Sequence, residues 1–351
     1  GTPVLRLLEP RSEDACTTER YERQLCMKTD ALSKLLGPKV IESMAFTGSD
    51  PFLRTGSDIA VLFEPKDAGV LKGLLQARLS AALKANPQAA AVRGTVEEVP
   101  YTGVRSPDRA ICSYLASVGD AVVATNSLEQ LRRIVAVQKG QAPSLASLPE
   151  YVFMRDRYKR GEPEETAFFM LSDAALRRWC GARWRICASR RTRAAAFMSD
   201  LQARYMDALT RGEVKPGPLP DRMPLPEGGD FTLGPTGVIS SAYGTLEFLT
   251  PISEIPLVKV TQAEADSYRR WLEQYHHRWR RYYDPIAVRL SLSPKGVGAD
   301  VTVLPLVEWS EYNRLVEVSR NVSLPSDGGD PHEGTVAHVV MAINTDSEAV
   351  R

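Results

Sequence analysis

Hydrophobic and polar positions alternate in "GSDIAVLFEP", where Ile59, Val61 and Phe63 share one face, and this predicts a half-buried strand. Asp67 then sits where a helix cap belongs. Leu71, Leu74, Leu75 and Leu79 form one side of a helix running to about Leu83. Asn86-Pro87 ends it, since proline cannot continue a helix and restricts the residue before it. Strand-like runs follow around 94–104 and 110–118, and the turn "VGDAV" leads into "AVVAT" at 121–125. Ser127 with Gln130 is a capping-box pair opening a helix that stops at Gly140, and Ser147 with Glu150 is a second pair opening "PEYVFMRDRYKRG". "ETAFFMLSD" has strand composition. A helix over 189–211 carries Ala194, Met198, Leu201, Tyr205 and Leu209 on one stripe.

Residues 212–229, "GEVKPGPLPDRMPLPEGG", hold five prolines and four glycines and mark a linker or extended crossover. Beyond it, "DFTLGPTGVISSAYGTLEFL" is strand-like. Thr261 with Glu264 forms a third capping box and "DP" at 284–285 ends that helix. "IAVRLSL", "SPKG" and "GADVTVLPL" read as a hairpin, followed by a helix over about 310–319 and a strand, "TVAHVVMAIN". Residues 67–177 and 261–351 therefore run through similar element orders and end in similar words, "LSDAALRR" and "NTDSEAVR", which predicts an internal duplication. The expected fold is α+β, with antiparallel sheets covered by helices in two similar units, 1–211 and 230–351, joined by 212–229. Because the second unit stops at Arg351, where a helix is due after Asp346, the chain is expected to be a piece of a longer protein.

The densest chemistry lies in "YHHRWRRYYD". On a helix from Thr261, the residues Tyr268, Leu272, Tyr275, Trp279 and Tyr282 fall on one apolar face, with Arg269, Arg270, Arg280, Arg281 and His277 beside or opposite it. The expectation is a structural stripe with Tyr275 and Trp279 buried. His276 and His277 are adjacent and so point about 100° apart, which does not suit joint metal chelation.

Composition narrows the function classes. The chain has 351 residues, 43% hydrophobic and 25% charged, with a net charge of +1 that favours neither nucleic acid nor an acidic membrane surface. No apolar run reaches the roughly 18 residues of a membrane span. Cys16, Cys26, Cys112, Cys180 and Cys187 include no CxxC; pairs 16/26 and 180/187 and five reduced thiols are both open readings. Residues 177–193 hold seven arginines and no acid, and Arg190, Arg191 and Arg193 fall at the expected helix start, where the dipole disfavours cations. Arg183, Arg185, Arg190, Arg191 and Arg193 are thus candidates for binding an anion or a partner, against pairing with carboxylates elsewhere in the fold. Asp327, Asp330, His332 and Glu333 share one loop but lack EF-hand order. No GxSxG, Walker A, HExxH or complete GxGxxG occurs, so no catalytic residue, metal or cofactor is assigned.

Residues 48–180 resemble an uncharacterised family of exported bacterial proteins. The words that carry this are "GSDIAVLFEPKD", "AICSYLASVGDAVVATNSLEQLRRIVA", "SLASLPEYVFMRDRY" and "ETAFFMLSD". The resemblance implies an exported, non-enzymatic protein and brings no site residues with it. The functional expectation is a non-catalytic structural or protein-interaction protein of a bacterial envelope compartment, its partner being another protein or the rest of a longer chain. The alternatives are a hydrolase without a recognisable motif and an anion-binding module using the arginines of 177–193.

Overall fold

A computed structural model describes residues 16–30, 37–50, 52–162, 165–217, 222–224, 230–234, 237–241, 244–245, 248–279, 285–293, 296–304, 312–323, 342–347 and 350. The first elements are α1 (Thr17–Gln24), β1 (Ile41–Gly48), β2 (Ile59–Pro65), α2 (Ala68–Ala85), β3 (Ala90–Val96) and β4 (Val99–Arg105). There follow β5 (Cys112–Val118), β6 (Ala121–Thr125), α3 (Leu128–Gln138), α4 (Pro149–Arg157), β7 (Ala167–Leu171), α5 (Asp173–Cys180) and α6 (Ala182–Thr210). The remainder comprises β8 (Arg222–Pro224), β9 (Asp230–Gly234), β10 (Gly237–Ser240), β11 (Gly244–Thr245), α7 (Gln262–Gln274), β12 (Ile286–Ser293), β13 (Gly296–Val303) and α8 (Tyr312–Ser319). The fold is α+β, and among the described residues every strand pair is antiparallel.

The chain packs as two compact units, Gly1–Ser147 with Arg177–Tyr268, and Leu148–Leu176 with Arg269–Arg351. Both are discontinuous in sequence, whereas the proline-rich segment suggested a break at 212–229. Part of that segment is β8, paired with β9. The predicted duplication is not reflected in the packing either. Strand β7, which closes the supposed first repeat, pairs with β12 of the second.

In the first unit, six strands lie in the order β1-β2-β6-β5-β4-β3. One sheet face buries Ile59, Val61, Phe63, Leu115, Val122 and Ala124 against Tyr21 of α1, Leu25 at its end and Leu71 and Leu79 of α2. The other buries Ala60, Ala116, Val118 and Val123 against Leu131 and Val135 of α3. Strand β2 is therefore covered on both faces, not half-buried, because its intervening residues, Ala60 and Leu62, are also apolar. A smaller sheet, β11-β10-β9-β8, meets α6 through Phe231 stacked on Phe197 at 5.2 Å.

Capping accounts for several boundaries. Asp67 accepts from the Val70 amide at 2.9 Å and Ser127 from the Gln130 amide at 3.2 Å, as the sequence predicts, but the return half of the Ser127 box is replaced, the Ser127 amide donating to Thr125 Oγ1 at 3.1 Å. The box at Ser147 does not form. Its hydroxyl bonds Ser144 O, and α4 starts after Leu148 without a side-chain cap. The strand-like run at 94–104 is two strands, β3 and β4, joined by Glu97 and Glu98 at φ 48° and 70°. Both residues thus occupy the left-handed region that Asn-Gly would favour in a two-residue hairpin turn. Lys139, which caps the C-terminus of α3, holds this turn, donating to Glu97 O at 2.7 Å and to the Glu98 carboxylate at 3.1 Å.

In the second unit, strands in the order β13-β12-β7 form one sheet. The hairpin predicted for β12 and β13 is present, with Ile286 opposite Val303 and Ser293 opposite Gly296.

Replacing Glu97-Glu98 by Asn-Gly is expected to relieve about 1 kcal/mol of left-handed strain and to stabilise the protein by that order in urea titration. A loss of stability would show that the Lys139 latch outweighs the backbone preference.

Candidate functional site

The polar end of the six-stranded sheet gathers an unusual density of buried hydrophilic side chains. Strand β6 ends at Thr125, and the next residue, Asn126, is fully buried. Its Oδ1 accepts from the Ile59 amide at 2.8 Å, while Nδ2 donates to Gln24 Oε1 and Ser57 O, both at 2.9 Å. Gln24 in turn donates to Arg109 O at 2.9 Å. One amide pair thus joins the end of α1, the entry to β2, the loop before β5 and the start of α3.

Two aspartates shape the loop between β1 and β2. Asp50 accepts from the amides of Phe52 and Arg54 and from Ser57 Oγ at 3.0–3.2 Å, and pairs with Arg54 Nε at 3.0 Å. Asp58, fully buried, accepts from the Ser49 amide and hydroxyl at 2.9 and 2.8 Å, Ser253 Oγ at 3.3 Å and Arg133 Nη1 at 3.4 Å. Gly56 lies between them at φ +78°, and a Cβ there would overlap the Arg191 guanidinium and Phe248 O. Glycine is the residue that allows this approach.

A third carboxylate arrives from far along the chain. Glu254 accepts from Arg109 Nη2 at 2.5 Å, from Ser127 Oγ at 2.9 Å and from the Glu129 amide at 3.4 Å. It places a negative charge on the first turn of α3, where the helix dipole favours one. Each of the three carboxylates already receives at least three donors, so its lone pairs are engaged in holding the fold. Burial pushes the Cys112 thiol above its ordinary value despite the nearby Arg109 guanidinium, and Cys26 is raised by burial to about 11, so both remain thiols at neutral pH. All five cysteines are free, and neither 16/26 nor 180/187 is a disulfide.

The arginine cluster takes a different place from the one predicted. Helix α6 begins at Ala182, so Arg190, Arg191 and Arg193 lie about two turns or more inside it, away from its N-terminus. Buried Trp184, Ile186 and Cys187 start the helix early, because they need an apolar partner, which Ile252 and Ile255 supply to Trp184 and Cys187. Arg190 is buried against Glu264, Nε to Oε1 at 2.6 Å and Nη2 to Oε2 at 2.9 Å. Arg191 is buried and donates to the carbonyls of Thr55 and Thr250. Arg183 reaches Ser253 O at 3.4 Å from an exposed position, Arg185 lies 5.6 Å over the Trp179 ring, and Arg193 is exposed. The structure does not bring these five guanidinium groups to one point.

Glu264 also completes the capping box read from the sequence. It accepts from the Thr261 amide at 3.0 Å, while its own amide donates to Thr261 Oγ1 at 3.2 Å. Helix α7 then gives way to a π-helical turn over Tyr275–Trp279, which breaks the predicted spacing of the aromatic stripe. Tyr268 and Tyr275 are half-buried, Tyr275 stacks on Trp271 at 5.2 Å, and His276 and His277 are exposed. The side chain of Trp279, and Tyr282, fall outside the described residues, as does the loop with Asp327, Asp330, His332 and Glu333. Among the described residues no group of three or more His, Cys, Asp or Glu side chains could hold a metal ion.

In the second unit the three-stranded sheet has two unlike faces. On one, Arg155 lies 3.8 Å over the Phe168 ring and pairs with Glu165 at 2.7 Å. Arg289 joins Asp300 at 2.7 Å to Glu162 at 2.6 Å, and Tyr158 meets Thr302 Oγ1 at 2.5 Å. Helix α4 supplies Arg155, so it covers this side. The cross-strand register assigns Phe169, Val288, Val301, Leu290, Ala299, Leu292 and Val297 to the opposite face. That face carries no charged or polar side chain, yet Phe169 is 51%, Leu292 61%, Val297 75% and Val301 62% exposed. Comparison with known protein families, curated proteins and solved structures returns no match to the chain.

Burial acting alone would raise the Glu264 carboxyl, but the Arg190 guanidinium and the Thr261 amide outweigh it and hold the carboxyl below its ordinary value. A depressed carboxyl stabilises the fold above its unfolded pKa of about 4.3, and that contribution fades as pH falls through the lower folded value. Glu264→Gln is expected to be less stable than the parent at neutral pH, with the gap narrowing below about pH 4. Thermal melts across pH read this directly, and parallel curves would remove the carboxylate from the account. Glu264→Ala is expected to cost about 3 kcal/mol, since it strands a buried guanidinium.

Proposed function

We propose that the chain is a non-catalytic structural or protein-interaction protein of a bacterial envelope compartment. The observation that carries the interaction reading is the exposed apolar face of the β13-β12-β7 sheet. A contiguous apolar patch of this kind is costly in water and is the usual mark of an interaction surface. The buried polar cluster supports the non-catalytic part. Asp50, Asp58 and Glu254 are saturated by internal donors, as a structural role requires. The envelope assignment rests on the resemblance of 48–180 to exported proteins. The anion-binding alternative has less support, since Arg190 and Arg191 are committed to Glu264 and to backbone carbonyls. No described helix is long and apolar enough to cross a membrane.

Native electrophoresis of envelope fractions is expected to show the protein in an assembly larger than the single chain. Phe169→Lys combined with Leu292→Lys should dissolve that assembly while the purified variant keeps its circular dichroism. Stoichiometric labelling of one serine by a fluorophosphonate, together with ester turnover, would replace this reading with the hydrolase.

A further inference from the structure

Independently of the interaction reading, we infer that Arg133 and Arg178 form a binding site for a phosphate dianion, free or as the terminal group of a small phosphomonoester, with the Ser49 hydroxyl as its floor. The site lies within the first unit and shares no residue with Arg183, Arg185, Arg190, Arg191 and Arg193. Three separate elements build it. Ser49 follows β1, whose last residue, Gly48, allows a close pass by Asp58: a Cβ there would lie 2.6 Å from Asp58 O. The Asp58 carboxylate fixes Ser49 by accepting from its amide at 2.9 Å and its hydroxyl at 2.8 Å. Arg133 comes from α3 and Arg178 from α5. Their Nη1 atoms lie 3.2 and 3.5 Å from the same Ser49 Oγ.

These two guanidinium groups are held loosely, unlike Arg190 on Glu264. Besides Ser49, Arg133 has only longer contacts, Nη1 to Asp58 Oδ2 and Gln130 Oε1 at 3.4 Å and Nε to Glu129 at 3.7 Å. Charge-assisted bonds from guanidinium to an oxyanion close to about 2.7–2.9 Å. Among the described residues Arg178 makes no ion pair, and Ser49 is its one hydrogen-bond partner. Burial and the neighbouring Arg133 charge hold the Arg178 guanidinium below its usual pKa, and Asp58 and Glu129 offset this only in part. Two like charges thus converge on one oxygen, while Asp58 already serves the Ser49 amide and hydroxyl and Ser253. A doubly charged tetrahedral oxyanion answers both cations and can take an Nη from each at normal length. A phosphate monoester carries about −1.5 to −2 at neutral pH, whereas a diester carries a single charge. The Arg133 side chain is 30% exposed and Arg178 is exposed, so such a ligand can arrive from solvent.

Calorimetric titration and thermal melts of the full chain in sodium phosphate, against sodium chloride of matched ionic strength, test this. The expected result is one phosphate bound per chain and a Tm that rises with phosphate but not with chloride. Glycerol 3-phosphate should act alike, and dimethyl phosphate, a diester, should bind about tenfold or more weakly. Arg178→Gln should weaken phosphate binding about tenfold or more, while its Tm without phosphate stays unchanged or rises because a like charge is gone. Arg204→Gln, at a side chain 77% exposed on α6, should leave binding unchanged. Phosphate binding without glycerol 3-phosphate binding would keep the site and make free phosphate its ligand. No effect of phosphate beyond that of chloride, dimethyl phosphate binding as tightly as phosphate, binding retained in Arg178→Gln, or binding lost equally in Arg204→Gln would each overturn the inference.

Discussion

The side-chain amide of Asn126 is the contact on which the first unit depends. A six-stranded sheet covered on both faces must end somewhere, and at its polar end the backbone groups of Ser57 and Ile59 are sealed from water. Unpaired, each would cost about 1–3 kcal/mol. Asn126 satisfies both, and through Gln24 it reaches the loop at Arg109. Thr125 adds a bond to Ile59 O at 2.7 Å, and Cys112 Sγ donates to Asn126 O at 3.4 Å. The cluster is a joint in which one donor–acceptor pair serves four segments.

The same logic explains the arginines. A guanidinium buried with a carboxylate is stable only when geometry and further hydrogen bonds offset its desolvation. Arg190 meets this with two bonds to Glu264 and one to Lys259 O. Arg109 shares Glu254 with the cap of α3. In this way residues 250–264 are tied to the sheet end through Glu254 and to α6 through Glu264 by charge-assisted bonds, and a charge-rich stretch of sequence becomes an internal fastening. The exposed apolar face belongs to the other unit, so fastening and interaction are carried by different parts of the chain.

Legibility from sequence followed range. Asp67, Ser127 and the Thr261–Glu264 box were readable because donor and acceptor lie three residues apart. The strand β2, the helix α2 and the β12–β13 hairpin were readable because their patterns are local and regular. Ser147 failed because its hydroxyl found Ser144 O within a tight turn. Glu97-Glu98 hid a hairpin because acidic residues seldom occupy two left-handed positions. The roles of Asn126 and Glu254 gave no local signal at all, since their partners Gln24, Ser57, Arg109 and Ser127 lie 69–145 residues away. The start of α6 at Ala182 is hidden in the sequence because seven arginines mask the buried Trp184, Ile186 and Cys187. The apolar sheet face depends on β7 pairing with β12, which sequence order does not suggest.

The most direct test of the Asn126 joint is a double-mutant cycle with Gln24, read by urea denaturation at unchanged m-value. Asn126→Ala is expected to cost about 3 kcal/mol or more, because it strands several buried groups at once. Coupling to Gln24→Ala should be about 1 kcal/mol. A cost for Asn126→Ala below about 1 kcal/mol, with no coupling to Gln24, would mean that the sheet end is held by something else.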